Sequence, residues 1–350
     1  MPPNPPRAAH LVGSTPFTDA PEALDIFAAR LGPYLRTVSD GETGSRQNWI
    51  QGLMESFRDH PDLEVKHAGK WTDYNDVLTF RIRRGHRFAA DNLDLGYLRH
   101  FEISWPEFEQ RRSDFGNGTN GPPRFQVGIP GDFNLSSFTF GPVGGLRMRH
   151  VFRDATLRDI RAIYARVGDG VVFQVEVPYE QVGVTMAPSF LHRPAAAFLA
   201  GGIARLAREA PEGSRWGIHL CLGDMNHRAL GRLRDTRPIV ALSNAIVARW
   251  PAGRHLDFMH VPLAEAVEPP PIEPEFYEPL RGLRLPPETR FIAGFIHEGR
   301  TLEEQRGLMA RLDELLGRPV DVACSCGLGR RSREDALATI DMAAELCRPS

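Results

Sequence analysis

The chain has 350 residues, 42% of them apolar and 25% charged, with a formal charge of -2. That composition supports a packed core and excludes a disordered chain; a near-neutral sequence without a basic block is also unsuited to electrostatic binding of nucleic acid. No run of 18 apolar residues is present, which speaks against a membrane-spanning helix. The opening MPPNPPRAAH lacks the basic and apolar regions of a secretory signal, so a cytoplasmic protein is expected.

Short apolar runs bounded by Gly, Pro or Asp predict strands at 9–14, 34–41, 124–131, 171–178, 216–223, 256–263, 290–297 and 320–327. Amphipathic stretches between them predict helices at 21–31, 156–167, 193–209, 239–250, 301–317 and 332–347. Thr156 and Thr301 read as N-caps, the second with Glu304 three residues on as a capping box. Eight strands alternating with helices predict an α/β protein, a single (β/α)8 TIM barrel spanning 1–350 as one domain. A doubly wound sheet is the alternative, but no strand is followed by GxGxxG. The segment 60–123 breaks the rhythm. It contains DVLTFRIRRG, read as one strand of a hairpin, and a Gly- and Asn-rich run, and it is read as an insertion after strand 2 that covers the barrel mouth. The Pro-rich stretch 268–280 is read as an irregular loop.

The residue types narrow the chemistry. Only Lys66 and Lys70 are lysines, both in a polar stretch, so a Schiff-base mechanism that needs a desolvated lysine is disfavoured. No GK[ST] phosphate loop is present. Four cysteines in a chain with room for a large core read as free thiols, available for metal or catalysis. In a barrel of this type the active site lies at the C-terminal strand ends. There the sequence places Ser14, Asp40, Glu42, Asp132, Glu176, His219, Cys221, His260, His297, Cys324 and Cys326. His219 and Cys221 stand two apart on one strand and therefore share a face; an imidazole and a thiolate together suit zinc. Cys326 adds a third N/S donor and leaves one position open, as catalytic zinc requires. His260 is a candidate to complete or replace a zinc position, and Cys324 a reserve ligand. His297 is either a structural histidine or a general acid or base. Glu176, among apolar neighbours, requires a partner such as a substrate ammonium group. Asp40 and Glu42 form either a turn or a grip on a cation. Cys347 is read as inert.

The motifs, taken in order, resemble the catalytic barrel of cobalamin-independent methionine synthase and the wider group of zinc-dependent thiol alkyltransferases. LVGSTPFT resembles that family's first strand, SDGETGSRQNW its DGE-x-x-R motif, and FQVEVPYE its DEP strand. WGIHLCLGD is similar to its H-x-C zinc strand, FIAGFIHEG to the strand with a catalytic histidine, and ACSCGLGRRSREDA to the segment with the last zinc cysteine. The resemblance implies zinc at His219, Cys221 and Cys326 and a proton relay at His297. It implies contacts to an amino-acid substrate at Ser14, Glu42 and Glu176, homocysteine as the small-molecule thiol, and a methylated folate as methyl donor. The family's second, N-terminal barrel has no counterpart in 350 residues. Its glutamate ligand is also missing from the strand written LDFMHVPL, where His260 or a water is the substitute. Two other readings are a metal-independent barrel of the uroporphyrinogen decarboxylase type acting on an acidic substrate, and a non-catalytic ligand-binding protein.

Overall fold

A computed structural model describes residues 7–116 and 121–348. Part of the Gly- and Asn-rich run, 117–120, and the first six residues of the opening segment lie outside the described residues. The strands are β1 (Ala9–His10), β2 (Thr37–Val38), β3 (Leu63–His67), β4 (Thr79–Ile82), β5 (Arg124–Pro130), β6 (Val171–Glu176), β7 (Arg215–His219), β8 (His255–Pro262), β9 (Arg290–Ile296) and β10 (Asp321–Cys324). Eight of them form one parallel sheet in the order β1-β10-β9-β8-β7-β6-β5-β2. A parallel bridge from Ala9 to Leu35, just before β2, joins the two ends. The result is the expected TIM-like α/β barrel, and every predicted barrel strand falls where its apolar run lies. β1 and β2 are only two residues long, so Ser14, Asp40 and Glu42 sit on the loops beyond them rather than on strands.

The outer helices follow the predicted rhythm: Ala20–Leu31, His192–Glu209, Arg237–Val247, Leu302–Leu316 and Arg333–Cys347. Thr301 caps its helix with the full reciprocal capping box to Glu304. Thr156 does not cap anything. It lies buried inside a helix that runs Asp132–Val167 and bends at Gly141, where φ is 76° and Pro142 follows. The preceding stretch 132–155 is rich in Gly, Phe and Ser and hides its helical period; the bend lets it follow the barrel wall.

The excursion after β2 contains the antiparallel hairpin β3–β4, as DVLTFRIRRG implied. It also contains the helix Tyr97–Arg111, which packs on Ala20–Leu31 as a barrel helix and brings Phe101, Trp105 and Phe108 against Phe125 of β5.

Parity divides the strand residues between two cores. The main core fills the space between strands and helices, while Val172, Phe258, Ile292 and Ala323 form a separate small cluster inside the barrel. Above that cluster the interior is polar. His10 Nε2 donates to Gln174 Oε1 at 2.9 Å, and Thr37 Oγ1 donates to Gln126 Oε1 at 2.9 Å. Burial drives the His10 ring down to about 3, so it is neutral.

At the opposite, N-terminal end, Arg215 pairs in a fork with Asp257, and Arg290 with Asp321. Asp321 is buried and also accepts from the Ala8 amide at 2.8 Å, which ties β1 to β10. Arg290→Ala would strand that carboxylate. We expect a loss on the order of 3 kcal/mol in urea unfolding, with no change in metal content.

Candidate metal centre and substrate cavity

β7 delivers His219, and the chain continues two residues to Cys221; Cys326 follows the end of β10 by two. The ligand atoms of these three lie within 4.8 Å of one another, 105 residues separating the two cysteines. The two sulfurs are 3.8 Å apart. Two thiolates on a tetrahedral zinc with bonds of about 2.3 Å stand about 3.8 Å apart, the edge of that tetrahedron. The separation fits a shared metal and is far too long for a disulfide, whose S–S bond is about 2.05 Å. The sulfur–sulfur contact pushes the Cys221 thiol well up and draws the Cys326 thiol well down. Backbone N–H of Gly223 donates to Cys221 Sγ at 3.3 Å.

The histidine is oriented by a chain of hydrogen bonds that fixes its tautomer. His260 Nε2 lies 2.9 Å from the carbonyl of Cys324, an acceptor only, so Nε2 carries the proton. Burial keeps His260 neutral, which leaves its Nδ1 as a lone pair. His219 Nδ1 approaches that lone pair at 2.7 Å and must donate to it. Nε2 of His219 is then the unprotonated atom, the form a metal ligand requires. Both nitrogens of His260 are engaged, so it orients a ligand instead of serving as one. Cys324 is not part of the cluster either. It shares numerical parity with Cys326, but it packs in the outer core beside Ile296, past a register shift at Ala323/Cys324, and burial lifts its thiol to about 12.

Next to this trio lies a cavity of about 130 Å³ lined by Ser14, Glu42, Glu176, Asp224, Arg330 and an aromatic wall. Glu176 leaves β6 two residues beyond Gln174, whose amide hydrogen-bonds Val12 O at 2.6 Å and lies 3.4 Å from Glu176 Oε1. Glu42 comes from the β2 loop and approaches the same point. A side chain at Gly128 would put its Cβ 2.4 Å from Glu42 Oε1 and 3.3 Å from Glu176 Oε1; at Gly13 it would be 2.6 Å from Glu42 Oε2. β5 at Gly128 and the loop after β1 at Gly13 need glycine there so that the carboxylates can enter. Burial, then mutual repulsion, raises Glu42 well above the carboxylate range; burial and the Cys326 charge raise Glu176 to about 7. The two carboxyls can thus hold a proton between them near neutrality. Ser14 Oγ accepts from Arg330 Nη1 at 2.9 Å.

Three predicted residues stand elsewhere. Asp40 does not line this cavity. Its carboxylate takes hydrogen bonds from Arg46, Ser104 and the Glu42 amide, and so shapes the turn that presents Glu42. His297 does not line it either: its Nε2 donates to Ala266 O at 2.9 Å, and its Nδ1 accepts from Gly299 N at 2.9 Å. Asp132 is occupied by Arg149 at 2.7 Å.

Sequence reasoning passed over Asp224, Arg330 and the hairpin residues Trp71 and Tyr74. Asp224 is buried, and neither of its oxygens has a hydrogen-bond partner among the described residues; His227 Nδ1 stands 3.8 Å away. Its signal was available in WGIHLCLGD, a carboxylate three residues after a candidate ligand. Tyr74 binds the β7 loop, its hydroxyl donating to Arg228 O at 3.2 Å and accepting from Met225 N at 2.9 Å. Backbone strain gathers around the same place. The non-glycine residues with positive φ among the described residues are Glu42 (41°), Trp71 (57°), Asn226 (53°), His227 (58°) and Ala266 (49°). The first three line the cavity, His227 adjoins it in sequence, and Ala266 holds His297.

No protein-family model matches the sequence, and no curated protein is similar to it at a significant level. The fold does match solved structures. One is a protein from Listeria monocytogenes designated a vitamin-B12-independent methionine synthase, at 11% identity and a TM-score of 0.57 over 98% of each chain. Another is a B12-independent methionine synthase from Shewanella sp. W3-18-1 in complex with selenomethionine, at 13% identity and a TM-score of 0.53, covering 97% of this chain and 96% of that one. At such identities the likeness establishes the barrel and its chain order. No helix among the described residues is long and apolar enough to cross a membrane.

Proposed function

We propose that this chain is a zinc-dependent transferase that moves a methyl or other alkyl group onto a small amino-acid thiol of the homocysteine type. The observation that carries this reading is the tetrahedral spacing of two sulfurs beside a histidine whose hydrogen bonds leave its ligand nitrogen bare. The similar barrels designated methionine synthases support it. Zinc held by His219, Cys221 and Cys326 would lower the pKa of a substrate thiol so that sulfur is nucleophilic at neutral pH.

The chain's own residues position the rest. The Glu42–Glu176 pair holds the substrate's ammonium group, Arg330 with Ser14 faces its carboxylate, and the aromatic wall excludes water. Asp40 and His260 are positioning residues, for Glu42 and His219 respectively. His297 pins the β9 loop to Ala266. The hairpin excursion covers this side of the barrel mouth. The arginines of the cavity do not favour the decarboxylase alternative: Arg46 is bound to Asp40, which leaves Arg330 facing three carboxylates.

A cobalt-substituted protein tests the reading. Its sulfur-to-cobalt absorption should intensify on adding homocysteine and not on adding methionine. No response to homocysteine would remove thiol binding at the metal. His260→Leu, which deletes the group that accepts from His219 Nδ1, should weaken zinc binding 10- to 100-fold in a chelator competition while leaving the fold intact.

A further inference from the structure

The cavity beside the proposed metal centre combines two features seldom found together: an aromatic wall and an excess of carboxylates. Trp71 and Phe138 lie with ring centroids 6.3 Å apart, and Phe138 meets Tyr179 edge-on at 5.2 Å, so three rings form a continuous surface. Trp49 lines the cavity too, but the Arg46 guanidinium already lies 5.9 Å from the centre of its ring. The same cavity is lined by Glu42, Glu176 and Asp224, with Arg330 as the cation among them not already bound to a carboxylate. Asp224 is more than nine-tenths buried and has no hydrogen-bond donor of its own among the described residues. If the substrate ammonium takes the Glu42–Glu176 pair and its carboxylate takes Arg330, Asp224 keeps only His227 Nδ1, at 3.8 Å and not hydrogen-bonded, as a counterpart. A buried carboxylate with no hydrogen bond is costly unless a cation arrives with the ligand.

Resting on the alkyl-transfer reading above, we infer that the alkyl donor is a small methyl-onium compound, a sulfonium or quaternary ammonium, received by the Trp71–Phe138–Tyr179 wall and Asp224. Ring faces attract a cation whose charge is spread over methyl groups and which has no N–H to satisfy, and a nearby carboxylate adds to that attraction.

The chemistry agrees as well. A sulfur lone pair of the substrate thiolate forms the new S–CH3 bond while the donor's C–S⁺ or C–N⁺ bond breaks. The bonding pair leaves with the donor heteroatom, which departs as a neutral thioether or tertiary amine. No proton is needed on the leaving group; the thiol proton has already gone to solvent. A neutral tertiary-amine donor such as a methylated folate would instead need a general acid at its nitrogen. Among the described residues the histidine that lines the cavity is His219, which the metal would take, and His297 is bound to backbone on both nitrogens.

The test is a competition on the zinc-loaded full chain. Homocysteine is supplied with equimolar CD3-labelled trimethylsulfonium and 13CH3-labelled methyltetrahydrofolate, and the methionine formed is read by mass spectrometry. The expected product carries CD3. Methionine carrying 13CH3, or none from either donor while the cobalt band still responds to homocysteine, overturns the onium inference and leaves the thiol reading standing. A silent cobalt band overturns the thiol reading itself. Recognition is checked separately by titrating choline against its neutral isostere 3,3-dimethylbutan-1-ol, with choline expected to bind at least tenfold tighter; equal binding overturns the inference. Phe138→Leu and Tyr179→Leu, made separately so that one failure to fold does not end the test, should each lose most of that preference for choline over the neutral alcohol. Retention of the preference in every variant that folds overturns the assignment to this wall.

Discussion

Purified protein should carry about one zinc per chain, and Cys221→Ser or Cys326→Ser should each lower that content at least tenfold. The trio spans β7 and β10, so neither cysteine has a local substitute. A serine hydroxyl is not deprotonated at neutral pH as a metal-bound thiol is, and one soft donor fewer leaves a weak two-ligand site. The fold should survive both changes, because the cysteines sit beyond their strands and the barrel ladder does not depend on them. Metal analysis with a melting curve separates the two effects. Full zinc in both variants would dismantle the centre. Cys324→Ser serves as the contrast: its sulfur faces the outer core, so stability should fall by about 1 kcal/mol with metal unchanged.

The second large effect concerns the paired carboxyls. Glu176→Gln should weaken binding of methionine, which has the amino-acid end but no thiol, about 30-fold at pH 8, or about 2 kcal/mol, because the member of the pair that ionises near neutrality, and so the charged partner of the ammonium, is lost. The same pair predicts the pH dependence. Glu176 is raised to about 7, so at pH 6 it mostly carries a proton and at pH 8 a charge. Affinity for methionine should therefore rise about tenfold between pH 6 and pH 8. Stability runs the other way. The ordinary glutamate value is 4.5, so between 4.5 and about 7 the folded protein binds protons that the unfolded chain does not. This contribution is complete below 4.5 and is lost as pH rises through 7. Calorimetric titration of methionine and urea unfolding, each at pH 6 and 8, should give opposite trends. In Glu176→Gln both trends should flatten.

The barrel was legible because a buried parallel strand has little choice but to be a short apolar run between turn formers; VVFQVEV and RFIAGFI say as much in isolation. His219 and Cys221 were legible for a related reason, since side-chain parity on a regular strand fixes their common face. Where the regular strand ends, that logic ends. Cys324 and Cys326 share parity, yet the chain leaves β10 at Cys324 and only the later residue turns into the mouth. His260 was recognisable as a polar residue at a strand end, but its part depends on two hydrogen-bond partners supplied by β7 and β10. Trp71, Tyr74 and Asp224 belong to loops whose positions are set by tertiary contacts, and no periodicity marks them. The long bent helix defeated a local reading because its first half hides its period, so Thr156 passed for a start signal.

The left-handed residues around the cavity carry one more consequence, for the order in which the molecule opens. Glu42, Trp71 and Asn226 hold backbone shapes that their own side chains disfavour, kept in place by contacts such as Asn226 Nδ2 donating to Trp71 O at 2.8 Å. The strands β6, β7 and β8, by contrast, are ladder-bonded on both sides. Amide protons in 40–46, 71–76 and 224–228 should therefore exchange with deuterium through small local fluctuations, while those of β6–β8 wait for the whole barrel to come apart. The rim where ligands would gather should open before the strands beneath it, and bound metal and substrate should slow its exchange far more than theirs.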